Sequence, residues 1–468
     1  MTDITKTLAT FAADLRFEDI PAEVVERAKL LVLDLAGIAV RARFDSDSTP
    51  ATFAAVKALE MDSGVCSVFG DRGGYAPPAA ALLNGALAHS LDFDDTHAPG
   101  SLHPGAPVVP AALAMAEKTG ATGQDLIAGI VAGYEIICRL SMALVPADHY
   151  DRGFHPTATC GAFAATAAAG RVLGLTADEM AHAFGIALSE TAGSMQYLEN
   201  GAWTKRFQVG NAAKNGVVAA VFAKAGYTGA SHAIEGKYGF LSAYAPHAKP
   251  ETAIAGLGEV WELAATAVKP YPACRMTHAA ADAASDLRRL HNIDPKAIDR
   301  VVVGLSRKGI DLTGAPEAQK RNPQNVVDGQ FSMHFVAAVA LRQGSMGWDD
   351  YPVHLGNTDT LELTRKVSVV NDPDVEAEYP RNLAGKVTVH MRDGTTYDAF
   401  VRHPKGEPEN FVTATELRTK FATLVKPYLG EAGEAALFNA VMRLEAISAA
   451  DLLHASRPAA SLAAAAGD

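Results

Sequence analysis

A mainly α-helical protein with a smaller, second α+β domain is the fold class that three features of the 468-residue sequence predict. Roughly the first 265 residues read as one helix after another. Short β-branched runs then interleave with helices, and after His403-Pro404 the helical pattern returns. The expected organisation is a large helical domain over 1–268, a smaller α+β domain over 269–403, C-terminal helices over 404–454 that rejoin the first domain, and a flexible tail over 455–468. At roughly 150 residues per domain, the length suits this division and leaves material for a large core.

The elements follow in order. Pro21 stands at a first helical turn, and Val24, Ala28, Leu31, Leu35 and Ile38 recur behind it at helical spacing. Thr122 is a plausible cap for a long apolar helix through Ile127, Ile130 and Ile137. The stretch from Gly161 to Gly170 is mostly Ala and Gly, so helices can approach closely there. Thr176-Ala177-Asp178-Glu179 is a capping box opening a helix through Met180 and Phe184. After Lys269-Pro270-Tyr271-Pro272 the character changes. Arg300 to Gly304 reads as a strand and Leu361 to Val370 as another. Lys386–His390 and Thr396–Val401 flank Arg392-Asp393-Gly394, a hairpin signal. Helices near 277–291 and 327–342 lie between these runs. Thr413-Ala414-Thr415-Glu416 is a second capping box, and a final helix runs through Ala435 and Leu444. The tail, with Ala463 to Ala466, is expected to fray.

Composition narrows the function. With 49% hydrophobic, 7% aromatic and 20% charged residues, the chain is too apolar for disorder. Forty-one basic and 53 acidic residues give a net charge of −12, so a global footprint for nucleic acid or an anionic membrane is missing. Cys66, Cys138, Cys160 and Cys274 show no C-x-x-C spacing, which argues against a disulfide framework or zinc knuckle. No stretch is expected to span a bilayer, because Glu135 and Arg139 interrupt the most apolar candidate, Leu126 to Leu140. With no secretory pattern at Met1-Thr2-Asp3-Ile4, a cytoplasmic protein is expected.

Four segments could carry chemistry. In Asn84–His97, the run Asp92-Phe93-Asp94-Asp95-Thr96 sets three acids within four positions, and His103 follows it. Read as a helix, Asp92 and Thr96 share a face and Asp94 points elsewhere. Such acids suit a solvated helix end, or magnesium. In Gly153–Gly161, Pro156 starts a helix and places His155 at its amino end, where a carboxylate is attracted and a neutral imidazole could act as a base. In Trp203–Ala213, Lys205 and Arg206 precede a run of small residues and could hold a carboxylate, or snorkel at the surface. In Lys269–His278, two prolines deliver Tyr271, Arg275 and His278 at the predicted domain boundary, as a ligand site or simply a stiff linker.

Taken together and in this order, the four segments resemble the MmgE/PrpD family, which includes 2-methylcitrate dehydratase, cis-aconitate decarboxylase and an iminodisuccinate epimerase. The resemblance runs from the Pro21 helix to about Leu444 and is most specific at Asp92–Thr96 with His103. It implies a large helical domain with a smaller α+β lid, a homodimer, and chemistry without a metal or organic cofactor. Carried over by motif, it implies Asp92, Thr96, His103, His155, Lys205 and His278 as catalytic residues. Arg206, Tyr271 and Arg275 are the expected substrate-binding residues. The sequence departs from better-known members at His97, at Lys205-Arg206-Phe207-Gln208 and at His334, changes that bear on the substrate.

The family chemistry implies a small polycarboxylate from which an α-hydrogen or a carboxylate is removed, with Lys205 spreading the charge, histidines moving protons and Asp92 orienting a histidine. The leading expectation is a hydro-lyase dehydrating a 2-methylcitrate-like acid. The alternative is decarboxylation of a cis-aconitate-like acid, or epimerisation of a dicarboxylate. A non-catalytic dicarboxylate- or partner-binding helical protein is the third reading.

Overall fold

A computed structural model of the chain describes residues 3–459. It divides into two compact units, one running up to Val268 and resuming at Thr413, the other spanning Lys269–Val412.

The first unit is helical. Its principal helices are α1 (Ile4–Asp14), α2 (Ala22–Asp45), α3 (Thr49–Ala58), α4 (Pro77–Ala88), α5 (Gly105–Thr119), α6 (Gly123–Leu144), α7 (Pro146–Asp151), α8 (Pro156–Leu173), α9 (Ala177–Ala187), α10 (Thr204–Lys224) and α11 (Phe240–Tyr244). Caps act where the side-chain chemistry puts them: Thr122 accepts from the Asp125 amide, and Thr176 with Glu179 closes a reciprocal box. Small residues set the helix spacing. A Cβ on Gly210 of α10 would lie 2.4 Å from the Leu82 carbonyl oxygen of α4, and one on Gly216 would lie 2.4 Å from Ala165 of α8. Only hydrogen fits at these crossings, so α10 lies pressed against both neighbours.

Helix α6 corrects an expectation. It is long and apolar enough to cross a membrane by length and hydropathy, but 94% of its most apolar window is buried inside the protein. Its two charges explain the burial. Glu135 and Arg139 pair at 3.0 Å. Arg139 then donates to the carbonyls of Ala255 and Val260, both at 2.6 Å, while Glu135 accepts from the Leu263 amide at 3.0 Å. The pair ties an irregular segment to the core helix and leaves neither charge without a partner.

The second unit holds α12 (His278–Leu290), β1 (Ile298–Leu305), α13 (Val326–Gln330), α14 (Met333–Gln343), α15 (Thr358–Lys366), β2 (Val367–Asn371), β3 (Gly385–Met391) and β4 (Thr396–Val401). The sheet order is β2-β1-β3-β4. Strands β1 and β2 are parallel, with Val301 opposite Val367, and the other pairs are antiparallel. The expected hairpin forms, with Gly394 in the left-handed region at φ 89°. Two expectations shift. Leu361 begins no strand, because Asn357 caps a helix that runs to Lys366 before β2 starts. The helix expected over 327–342 is broken at Phe331–Ser332, where Ser332 caps α14.

From Thr413 the chain returns to the helical unit as α16 (Ala414–Met442) and α17 (Ala449–Ala455). The start of the tail is anchored rather than frayed: Ser456 is buried and accepts from the Gly70 amide at 3.3 Å, and Arg457 donates to Ser67 at 3.1 Å. Ala463 to Ala466 lie outside the described residues.

The α10 crossing gives a test. Gly210→Ala is expected to destabilise the protein by about 1–3 kcal/mol in denaturant titration, because the added methyl meets backbone that cannot yield.

Candidate active site

The acidic run is not helical. Helix α4 ends at Ala88, and residues 89–104 form an irregular turn in which Asp92 adopts a left-handed φ of 53°. Each acid therefore points its own way, and none is solvated: Asp92, Asp94 and Asp95 are all buried. This rules out the solvated helix end. It also disfavours a magnesium site built from the acids, since each carboxylate has a separate partner.

Asp92 receives the ammonium of Lys205 from the first turn of α10. Asp94 accepts from Nδ1 of His89 at 2.7 Å, and Nδ1 of His103 stands 3.3 Å from the same oxygen. Asp95 accepts from the Tyr134 hydroxyl at 2.6 Å and from the Gly105 amide at 3.0 Å. The expectation that Asp92 orients a histidine is thus corrected. Asp92 serves the lysine, and Asp94, one residue past Phe93, serves two imidazoles. Thr96 is fixed through its backbone, which exchanges hydrogen bonds with Ala267 at 2.9 and 2.7 Å.

Three imidazoles meet over Asp94. The rings of His89 and His103 are 4.8 Å apart and nearly perpendicular, and those of His89 and His155 are 5.7 Å apart. His155 caps α8 in extended backbone and is 2% exposed. Gln208, one turn after Lys205 on α10, sets its tautomer. The Gln208 carbonyl accepts from the Ser194 amide at 2.9 Å, so its amino group must donate to His155 Nδ1 at 2.8 Å. A neutral His155 then carries its proton on Nε2 and is a hydrogen-bond donor there, not the base that its position on the helix suggested.

The charges reinforce this state. Burial, then the nearby His89, Lys205 and His103, hold His155 well below the usual imidazole range. Burial likewise lowers His89 to about 4, against the pull of Asp94. Burial alone would raise Asp94, but His103 and then His89 draw it well below the usual carboxylate range. Asp95 is the opposite case: burial lifts it to about 7. The run thus holds one firmly ionised acid beside one that is half protonated near neutrality.

His89, Asp94 and His103 offer ligand atoms within 4.8 Å of one another, the spacing of a transition-metal set. The 2.7 Å contact between His89 and Asp94 is a hydrogen-bond length, shorter than the roughly 3 Å between ligand atoms sharing a zinc ion.

The remaining expected residues have other partners. Arg206, adjacent to Lys205, turns its guanidinium to Ser46, Asp47 and Ser48 at 2.9, 2.6 and 3.0 Å and does not join the cluster. In the smaller unit, the Tyr271 hydroxyl donates to Asp282 at 2.6 Å, and Arg275 meets Glu407. His278 starts α12 with Nε2 3.1 Å from the Ala273 carbonyl oxygen and its ring edge-on to Tyr271. His89, Asp94 and Gln208 were missed as site residues. His89 and Asp94 stand inside the motif itself, and Gln208 lies three positions after Lys205, so helical spacing alone could have flagged it.

The buried imidazole His89 makes stability depend on pH. Its native value near 4 lies below the unfolded value near 6.5, so the unfolded chain binds the extra proton between those limits and stability falls as pH drops through them. His89→Asn is expected to flatten the unfolding free energy between pH 6.5 and 4 by up to about 1.4 kcal/mol per pH unit relative to wild type, measured by denaturant titration. Parallel slopes would contradict a neutral buried His89.

Comparison with known proteins completes the picture. The MmgE/PrpD N-terminal domain matches residues 6–253 and the MmgE/PrpD C-terminal domain matches residues 271–446. The chain is 31% identical to a cis-aconitate decarboxylase-like protein of Aspergillus oryzae over 95% of both chains. It is 29% identical to cis-aconitate decarboxylase of Aspergillus terreus, covering 95% of this chain and 94% of that one. It is also 29% identical to human cis-aconitate decarboxylase, over 86% and 84%. Two domains matched in sequence order, with an acidic turn that gathers a lysine and three imidazoles, make this chain an enzyme of the MmgE/PrpD family.

Proposed function

We propose that the protein decarboxylates a small unsaturated tricarboxylate of the cis-aconitate type, using the acid–base groups of its helical unit. This replaces dehydration of a 2-methylcitrate-like acid as the leading reading. The support for the change is that relatives matched over most of their length carry the name cis-aconitate decarboxylase.

The two reactions place different demands on the site. Dehydration begins with removal of a proton and needs a basic nitrogen aimed at a C–H bond. Decarboxylation begins with cleavage of a C–C bond and needs no base. Carbon dioxide departs, the bonding pair shifts into the conjugated system toward a retained carboxylate, and one proton is then delivered to carbon. Each turnover releases one carbon dioxide and consumes one proton. Lys205, set in place by Asp92, would hold a carboxylate, and the Nε2 proton of His155 would stabilise the developing charge. His103, backed by Asp94 and the most exposed of the three imidazoles, would deliver the proton and recover it from water.

The test is to incubate the purified protein with tri- and dicarboxylic acids and follow product mass and alkene signals by NMR. Loss of 44 mass units, as expected for carbon dioxide, supports the reading; loss of water or an unchanged mass overturns it in favour of a dehydratase or an epimerase. Lys205→Met is expected to cut turnover of the folded protein by about 10²–10³-fold, with the folded fraction checked by circular dichroism because the change removes the counterion of buried Asp92.

A further inference from the structure

We propose that Lys420, held by Asp34, is a positioning residue that keeps the Asp92–Thr96 turn in its catalytic shape. Lys420 belongs to α16, the helix entered when the chain returns to the helical unit, more than three hundred residues after the acidic run. Its side chain is 8% exposed. It donates to the Phe93 carbonyl oxygen at 2.9 Å, pairs with Asp34 of α2 at 2.6 Å, and lies 3.7 Å from the centre of the Phe93 ring. Phe93 is the residue between Asp92 and Asp94, so this one ammonium grips both its backbone and its ring.

The grip has a mechanical reason. Asp92 is not glycine yet takes a φ of 53°, a left-handed conformation uncommon outside glycine that local contacts help to hold. The reversal at Asp92 sends its own carboxylate to Lys205 and that of Asp94 to His89 and His103. Releasing the carbonyl between them lets the two carboxylates swing, and with them the lysine and the proton-carrying histidine.

Asp34 is there because a buried ammonium needs a counterion. Its own surroundings are Lys420 and Arg27 as cations and Asp94 as a further acid, and burial raises its carboxyl above the usual range. Neither Lys420 nor Asp34 is assigned contact with substrate. Both act through the turn.

This inference rests on the proposed reaction, and its test separates the two. Lys420→Met leaves Asp34 as an unpaired buried carboxylate and risks folding, so Asp34→Asn/Lys420→Met, which removes both charges together, is compared with it. In a folded double variant, kcat is expected to fall about 10–100-fold while KM changes less than threefold, since a misplacement near 1 Å costs about that much turnover. The imidazole NMR signals of specifically labelled His89 and His103 are expected to shift without substrate present. Unmoved imidazole signals with kcat within twofold of wild type overturn the proposal. So does a loss of activity matched by an equal loss of folded protein, which makes Lys420 only a core ion pair. If wild type turns over no acid, the reaction assignment fails, and the imidazole signals alone then decide whether the turn is held by Lys420.

Discussion

Three carboxylates buried within four residues are the constraint on which the site depends. Each would cost several kcal/mol if left unpaired in the interior, and their mutual repulsion adds to that. The structure meets the cost by giving each acid its own partners from different parts of the chain. Lys205 comes from α10, the imidazoles from the end of α4 and the loop before α5, and Tyr134 from α6. A cluster that had to be neutralised from so many directions is, for the same reason, a cluster where charge, proton donors and a proton carrier meet.

Close helix packing makes those partners available. Helix α10 brings Lys205 and Gln208 to the acidic turn and to His155 only because Gly210 and Gly216 let its backbone lie against α4 and α8. The abundance of Ala and Gly in this half is therefore more than good helix propensity. It sets the distances over which the polar groups of the site can touch. The buried Glu135–Arg139 pair plays a comparable part in α6, turning charges that interrupt an apolar stretch into a clasp for residues 255–263.

Proton geometry separates the histidines where sequence treats them alike. His155 is constrained through Gln208 to donate from Nε2, and His103 faces Asp94 through Nδ1. The same side-chain type is thus held in two different hydrogen-bonding arrangements because different neighbours occupy one ring nitrogen in each case.

Much of the fold was legible in the sequence. Local chemistry decided the caps at Thr122, Thr176 and Thr413, the hairpin at Gly394 and the change of character after Lys269, because these depend on residues only a few positions apart. The motif segments also named Asp92, His103, His155 and Lys205, which the structure brings into one cluster. Tertiary structure decided the rest: that the acidic run is a buried turn and not a helix, that Asp94 rather than Asp92 holds the imidazoles, that Arg206 faces away to residues 46–48, and that a lysine from α16 reaches Phe93. Each of these turns on which distant group arrives to offset a buried charge. Periodicity and capping report on neighbours along the chain, whereas desolvation is settled by neighbours in space.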